Sequence, residues 1–177
     1  MRFLIRLAGP DDIPVLRAVM DASISHLLDA FLTPAQVAAS RELMGLDTQL
    51  IADGTYFVAV EGNIMVGCGG WSDRATLFGG DHTGGRSAAR LTPGKDRARV
   101  RAMYTAPGHA RRGIGRAILD ASETASREAG FTHAELAATL AGEPLYRSCG
   151  YQPEQHFQEM TSTGVAVPLI RMVKRLV

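Results

Sequence analysis

A chain of 177 residues fits one domain, expected here over residues 1–177, and can bury a continuous core without disulfide or metal staples. At 46% apolar and 21% charged residues the composition is that of an ordinary globular protein, and no apolar run nears the roughly 18 residues that span a bilayer. A formal net charge of +1 argues against bulk electrostatic binding to nucleic acid, so neither nucleic acid nor membrane is an expected partner.

Met1 to Arg6 is too short and too interrupted by charge for a secretory signal. Cys68 and Cys149 are the only cysteines, read as reduced thiols, which predicts a cytoplasmic protein. No Cys/His spacing resembles a zinc site, and no metal is expected.

Arg2 to Leu7 predicts a short first strand. Gly9-Pro10-Asp11-Asp12 then starts a helix, with Ile13, Leu16, Met20, Ile24 and Leu27 on one face. Thr33-Pro34 opens a second helix through about Met44, and the two are expected to form a helical hairpin. Thr55–Val60 and Ile64–Cys68 are β-rich runs about the turn Glu61-Gly62-Asn63. Ser72 to Lys95 is polar, glycine-rich and without period, the one long loop, read as functional or disordered. Trp71 and Phe78-Gly79-Gly80-Asp81-His82 are candidates to border an acceptor pocket. Arg99–Thr105 alternates as a strand, Gly113–Ala129 as a helix capped by Gly130, and His133–Ala138 as a strand. A short helix over Pro144–Cys149 and a last strand over Val165–Leu176, its start blurred by Pro168, complete a mixed α/β layer domain.

From Arg86 to Arg116 the basic residues are Arg86, Arg90, Lys95, Arg97, Arg99, Arg101, Arg111, Arg112 and Arg116, with Asp96 the only carboxylate among them. Such a stretch in a near-neutral chain is either a solvated basic face or the seat of an anionic ligand. The glycines favour the ligand. Strand Val100–Thr105 runs into Ala106-Pro107-Gly108-His109-Ala110-Arg111-Arg112-Gly113-Ile114-Gly115-Arg116 and then a helix. A helix start offers unpaired backbone N–H groups and the positive end of its dipole. Gly113 and Gly115 remove side chains where a phosphate would approach, while Arg111, Arg112 and Arg116 add charge, which describes a pyrophosphate cradle. Ile118 takes the third glycine position of a dinucleotide fingerprint, and no Gly-Lys-Ser/Thr follows for a nucleotide-hydrolase loop.

The segment resembles the acetyl-coenzyme A motif of the GCN5-related N-acetyltransferases (GNAT), Gln/Arg-x-x-Gly-x-Gly/Ala after a strand. In the register set by Pro107, Ala110 takes the Gln/Arg place, a departure from the pattern. A second match follows: Thr139-Leu140-Ala141-Gly142-Glu143-Pro144-Leu145-Tyr146-Arg147-Ser148-Cys149-Gly150-Tyr151 resembles the family's last motif, a tyrosine four residues before a Gly-aromatic pair. Loop positions that commonly hold asparagine carry Thr139 and Ala141. The likeness spans essentially the whole chain, tightly from Val100 to Tyr151.

The resemblance implies an acyl-CoA acyltransferase fold, with a mixed, mostly antiparallel central sheet and helices on both faces. It implies acetyl transfer from acetyl-CoA, the cosubstrate, to a primary amine by direct attack in a ternary complex. The acceptor is a small molecule or peptide, and dimers are common in the family. Residues Arg111–Arg116 would bind the diphosphate largely through main-chain amides, with Ile114 among them. Met103, Tyr104 and Thr105 would pair with the pantetheine arm, and an amide near Met103 would face the oxyanion. Thr139 would contribute a polar contact, and Tyr146 would stand by the sulfur as the catalytic hydroxyl. A phenol of pKa about 10 gives its proton to a thiolate of about 8.5 uphill by roughly 2 kcal/mol, so Tyr146 is read as stabilising thiolate charge unless its pKa is lowered. For a general base the candidates are Glu61, Asp81, His82 and Glu135. His109 is read as structural or as a minor pyrophosphate contact. Cys149 has no neighbour to serve as base, which argues against a covalent acetyl-cysteine. The alternative function is a non-catalytic acyl-CoA-binding sensor or interaction module.

Overall fold

The computed structural model describes residues 3–176. Its elements are β1 (Leu4–Leu7), α1 (Ile13–Leu27), α2 (Pro34–Leu43), α3 (Thr48–Ala52), β2 (Tyr56–Glu61), β3 (Ile64–Ser72), β4 (Ala98–Thr105), α4 (Ile114–Glu128), β5 (His133–Ala138), α5 (Glu143–Ser148), β6 (Gln152–Met160) and β7 (Ala166–Arg175). Arg2, the expected start of the first strand, lies outside the described residues. The strands form one sheet in the order β1-β2-β3-β4-β5-β7-β6. Every neighbouring pair is antiparallel except β4–β5. This is a mixed α/β fold with a mostly antiparallel sheet.

Alternation along β2 assigns the two faces. Tyr56 and Val58 pack with Leu16, Met20 and Ile24 of α1 on one side. Phe57 and Ala59 meet Ile114 and Ile118 of α4 on the other. Each such fully buried aliphatic side chain contributes about 1.5–3 kcal/mol. The second helix begins where Thr33 and Gln36 cap each other reciprocally, Gln36 N donating to Thr33 Oγ1 at 3.2 Å and Thr33 N to Gln36 Oε1 at 3.1 Å.

Two elements go beyond the sequence reading. Strand β6 is a polar edge strand, mostly exposed, so it carries little of the apolar alternation that marks a strand. Helix α3 is only five residues long, its first turn capped by Asp47, whose Oδ1 accepts from Gln49 N at 3.0 Å. Strand β3 also continues past its expected end at Cys68, through Gly69 and Gly70. A Cβ on Gly69 would lie 2.2 Å from Met103 Sδ and 3.0 Å from Ile118, so glycine there lets the Met103 side chain of β4 and Ile118 of α4 pack against β3. Pro168 is tolerated in β7 because the last rung with β5 is Ala138–Ile170, and at Pro168 the strand has one neighbour only.

Trp71 lines neither of the two cavities described below. It is buried in the core, edge-on to Phe131 at 6.0 Å between centroids. The 72–95 segment is ordered by its own main chain: Ala75 N donates to Ala89 O at 2.9 Å and Thr76 N to Ser87 O at 3.1 Å. Arg74 clasps Asp53 at 2.6 and 2.8 Å, fixing one end of the segment to the body. No helix among the described residues is long and apolar enough to cross a membrane.

Candidate active site

Strands β4 and β5 pair only at Ala98–Ala134 and Arg99–Glu135, then separate. β4 is further turned by a bulge: Ala102 and Met103 together face Gly69, and Ala102 takes φ +50°. Beyond Arg99 the β5-side edge of β4 therefore has no strand partner. Such a fork at the carboxyl ends of parallel strands is a natural seat for a ligand.

The loop from β4 to α4 closes over this fork. Pro107–His109 make one 3-10 turn, Arg111 sits at φ +61° and Gly113, the N-cap, at φ +83°. Only glycine adopts that last conformation cheaply, and no atom lies within 4 Å of where its Cβ would be. No side chain caps α4, and the amides of Ile114, Gly115 and Arg116 meet no acceptor among the described residues. Open space above unpaired first-turn donors suits an anion. Gly115 serves a different purpose, since a Cβ there would meet Leu145 Cδ2 at 2.8 Å.

A cleft of about 630 Å³ runs from these amides to Tyr146. It is lined by Met103, Tyr104, Thr105, Arg111, Gly113, Ile114, Gly115, Arg116, Thr139 and Tyr146. Of the residues assigned from sequence to the cofactor and to catalysis, only Arg112 is missing from that wall; its guanidinium turns away to Glu61 Oε1 at 2.9 Å. Arg116 faces the cleft and also donates to Ser148 Oγ at 3.1 Å. Thr139 Oγ1 accepts from Gly142 N at 3.1 Å, ordering the turn before α5. Tyr146 packs edge-on to Tyr151, 5.9 Å between centroids, and burial raises its phenol above the ordinary value. Tyr104 is raised likewise, its oxygen accepting from Gly45 N at 2.9 Å.

The opposite wall comes from the end of α1, Ser23, Ile24 and Leu27, followed by Leu28 and Phe31. Sequence reading placed Ile24 and Leu27 in the core stripe, and nothing in their pattern distinguishes a helix face shared between core and cleft.

Most of the arginine stretch is not ligand-facing. Arg86 and Arg101 hold Asp47, Arg90 pairs with Asp73, Arg97 with Glu154, Arg99 with Glu135, and Arg112 with Glu61. The carboxylates come from distant segments, so local sequence overstated the free charge. Arg111 and Arg116 are the cations that line the cleft. The proposed bases are engaged elsewhere as well. Glu61 takes Arg112 and lies 3.6 Å from His109, Asp81 accepts from Thr48 N, His82 bonds Arg41 O, and Glu135 is buried among Arg97, Arg99 and Arg171. None of them lines the cleft. No group of three or more His, Cys, Asp or Glu among the described residues is placed to hold a metal.

A splayed β4–β5 fork thus lies beside the uncapped, glycine-led start of α4 in a mixed α/β fold. The family model "Acetyltransferase (GNAT) domain" matches residues 52–153, and the chain belongs to this family of acetyltransferases. It is similar in structure to a GCN5-related N-acetyltransferase from Rhodopseudomonas palustris, at 19% identity and TM-score 0.71, over 99% of this chain and 96% of that one. The PaiA N-acetyltransferase of Thermoplasma acidophilum, solved with coenzyme A, is 14% identical with TM-score 0.66 over 99% of both chains. YncA of Salmonella typhimurium, a putative acetyltransferase solved with acetyl-CoA, is 18% identical with TM-score 0.64 over 100% and 95% of the two chains. At such identities the likeness speaks for the fold alone. No curated protein sequence matches the chain.

Proposed function

We infer that the protein transfers the acetyl group of acetyl-CoA to a primary amine by direct attack. One observation carries this reading: the unpaired amides of Ile114, Gly115 and Arg116 open into the same cleft as Tyr146. The diphosphate sits on those amides, with Arg111 and Arg116 adding charge, as a helix N-terminus favours. The pantetheine arm runs along the free edge of β4 at Met103–Thr105, where main-chain groups serve as a strand's would.

The amine nitrogen attacks the thioester carbonyl, the N–C bond forms, and the C–S bond breaks with its electrons on sulfur. The nitrogen loses one proton and the thiolate gains one. Because burial raises Tyr146, outright proton donation to the thiolate is more uphill than for a free phenol. Tyr146 acts instead as a hydrogen-bond donor to sulfur as its charge develops.

Calorimetry on the purified chain tests the first half: acetyl-CoA should bind saturably at one site. Release of coenzyme A thiol in the presence of an amine tests the second. Absence of binding heat with acetyl-CoA and with longer acyl-CoA thioesters would overturn the assignment.

A further inference from the structure

Behind Met103 and Tyr146 a second cavity of about 110 Å³ adjoins the cleft. Met44, Met103, Tyr104, Thr139, Gly142 and Tyr146 line both spaces. An acyl carbon near Tyr146 would face the smaller one. Its remaining walls are chiefly apolar, with Leu43, Leu77, Phe78, Leu136, Val167 and Leu169 among them. Among the described residues no Asp, Glu, Lys, Arg or His lines it.

Charges stand close behind, but they are matched. Arg101, 3% exposed, donates to Asp47 Oδ2 at 3.0 Å and to Gly79 O at 2.7 Å. Arg86 meets Asp47 at 2.7 Å and Asp81 at 3.6 Å. Two guanidiniums thus stand against two carboxylates. The titratable side chains at the cavity itself are Tyr104 and Tyr146, both raised by burial, so neither takes up a proton near neutrality.

We propose that this chamber selects a weakly basic primary amine borne on a small, uncharged apolar group: the α-amine of an amide-linked apolar residue, or an arylamine. The proposal rests on the acetyl-transfer reading above. Its first argument is protonation. With no side-chain base in the chamber, the amine must arrive neutral. A lysine-like amine is neutral in about 0.04% of molecules at pH 7 and an α-amine in about 10–15%, a ratio of roughly 300. The second argument is desolvation, because an ammonium entering these walls would find no carboxylate to replace its water. A free amino acid's carboxylate would find no cation either. The third is size: an apolar cavity of about 150 Å³ holds benzene, so this one takes a group no larger than a leucine side chain or a single ring.

The test compares initial rates at pH 7 and saturating acetyl-CoA for leucinamide, a leucine-initiated tripeptide and aniline with those for spermidine, Nα-acetyl-lysine and free leucine. The first group should exceed the second by tenfold or more in kcat/KM, and its members separate the possible sources of the amine. For leucinamide kcat/KM should rise with pH and level near the amine's own pKa of about 8, while aniline stays flat over that range. Phe78→Ala should favour tryptophanamide over leucinamide by tenfold relative to the parent chain, with acetyl-CoA affinity unchanged. If calorimetry finds no acetyl-CoA binding, the transfer reading falls and this proposal with it. If acetyl-CoA binds but spermidine or Nα-acetyl-lysine leads the panel, or no amine is acetylated, the acceptor class alone is overturned.

Discussion

Arg99 stands opposite Glu135 on the last rung joining β4 to β5, and its guanidinium is held by that carboxylate. The pair sits at the crotch of the fork, so it ends the strand pairing and fixes where the cleft begins. Glu135 is 5% exposed and also meets Arg97 at 3.3 Å and Arg171 at 3.9 Å. Glu135→Gln leaves three guanidiniums without their shared charge. Breaking a buried ionic cluster from one side costs about 3 kcal/mol, to be read by urea unfolding. If the crotch sets the fork, KM for acetyl-CoA should rise more than kcat falls.

The two glycines of the α4 start should separate by mutation. Gly113→Ala meets no atom within 4 Å but places an L-residue at φ +83°, which costs about 1–2 kcal/mol. Gly115→Ala brings a methyl to 2.8 Å from Leu145 Cδ2 and pushes that side chain toward the cleft. The expected result is a lowered melting temperature for the first and, for the second, roughly tenfold weaker acetyl-CoA binding by calorimetry, about 1.4 kcal/mol.

These glycines mark what sequence reading could reach. Strand, loop and helix from Val100 to Leu119 are contiguous, so the geometry of the cradle was legible as spacing, and Tyr146, which lines the same cleft, stood out through the Gly-aromatic pair that follows it. Of the proposed acceptor chamber only Phe78 and Gly79 were singled out, because Leu43, Leu136 and Val167 meet them only after the sheet brings four separate segments together. Each is an ordinary apolar residue in its own element. The arginine stretch misled for the same reason: Asp47, Glu61, Asp73 and Glu154 neutralise it from a distance. Strand β6 was lost because a polar edge strand carries no apolar period.

Tyr146→Phe keeps the ring against Tyr151 and removes only the hydroxyl. Loss of one transition-state donor lowers kcat by about 10²-fold, with acetyl-CoA affinity within twofold and melting temperature within a few degrees. Because burial raises the phenol, the parent enzyme should show no Tyr146-dependent decline in kcat at or below pH 10. A decline below that value which disappears in the Phe variant would show that the phenol ionises and acts as an acid.

Acid should loosen the 72–95 segment. Arg74 holds the Asp53 carboxyl below the ordinary carboxylate range by hydrogen bonding, with Gln49 assisting. A carboxyl lowered in the folded state binds fewer protons there than in the unfolded chain. Its stabilisation is therefore full above the unfolded value of about 3.9 and fades as pH falls from there through the folded value. Hydrogen exchange at Ala75 and Thr76 should accelerate below pH 4 beyond its intrinsic trend, and Asp53→Asn should abolish that extra dependence.

Arg101 joins the segment to the smaller cavity proposed for the acceptor. From β4 its guanidinium reaches Thr76 O at 3.3 Å, Gly79 O at 2.7 Å and Asp47 at 3.0 Å. Leu77 and Phe78 lie between the first two of these carbonyls and line the chamber. One planar fork thus fixes the loop wall to strand β4. Burial disfavours the charged guanidinium, Asp47 counters this, and Arg86 sits on the same carboxylate. Arg101→Leu removes one of the two guanidiniums on Asp47 and leaves the carbonyls of Thr76 and Gly79 without this donor, costing about 1–3 kcal/mol while Arg86 still pairs Asp47. Arg101→Lys keeps the charge but cannot span the same acceptors, because an ammonium is a point donor on a flexible stem. The Lys variant should retain acetyl-CoA affinity while acceptor KM rises about tenfold and amide exchange at Leu77–Gly79 quickens. Unchanged acceptor KM in a folded Lys variant would mean that the wall is held without Arg101, by the bonds of Thr83 and His82 to the Glu42 and Arg41 carbonyls of α2.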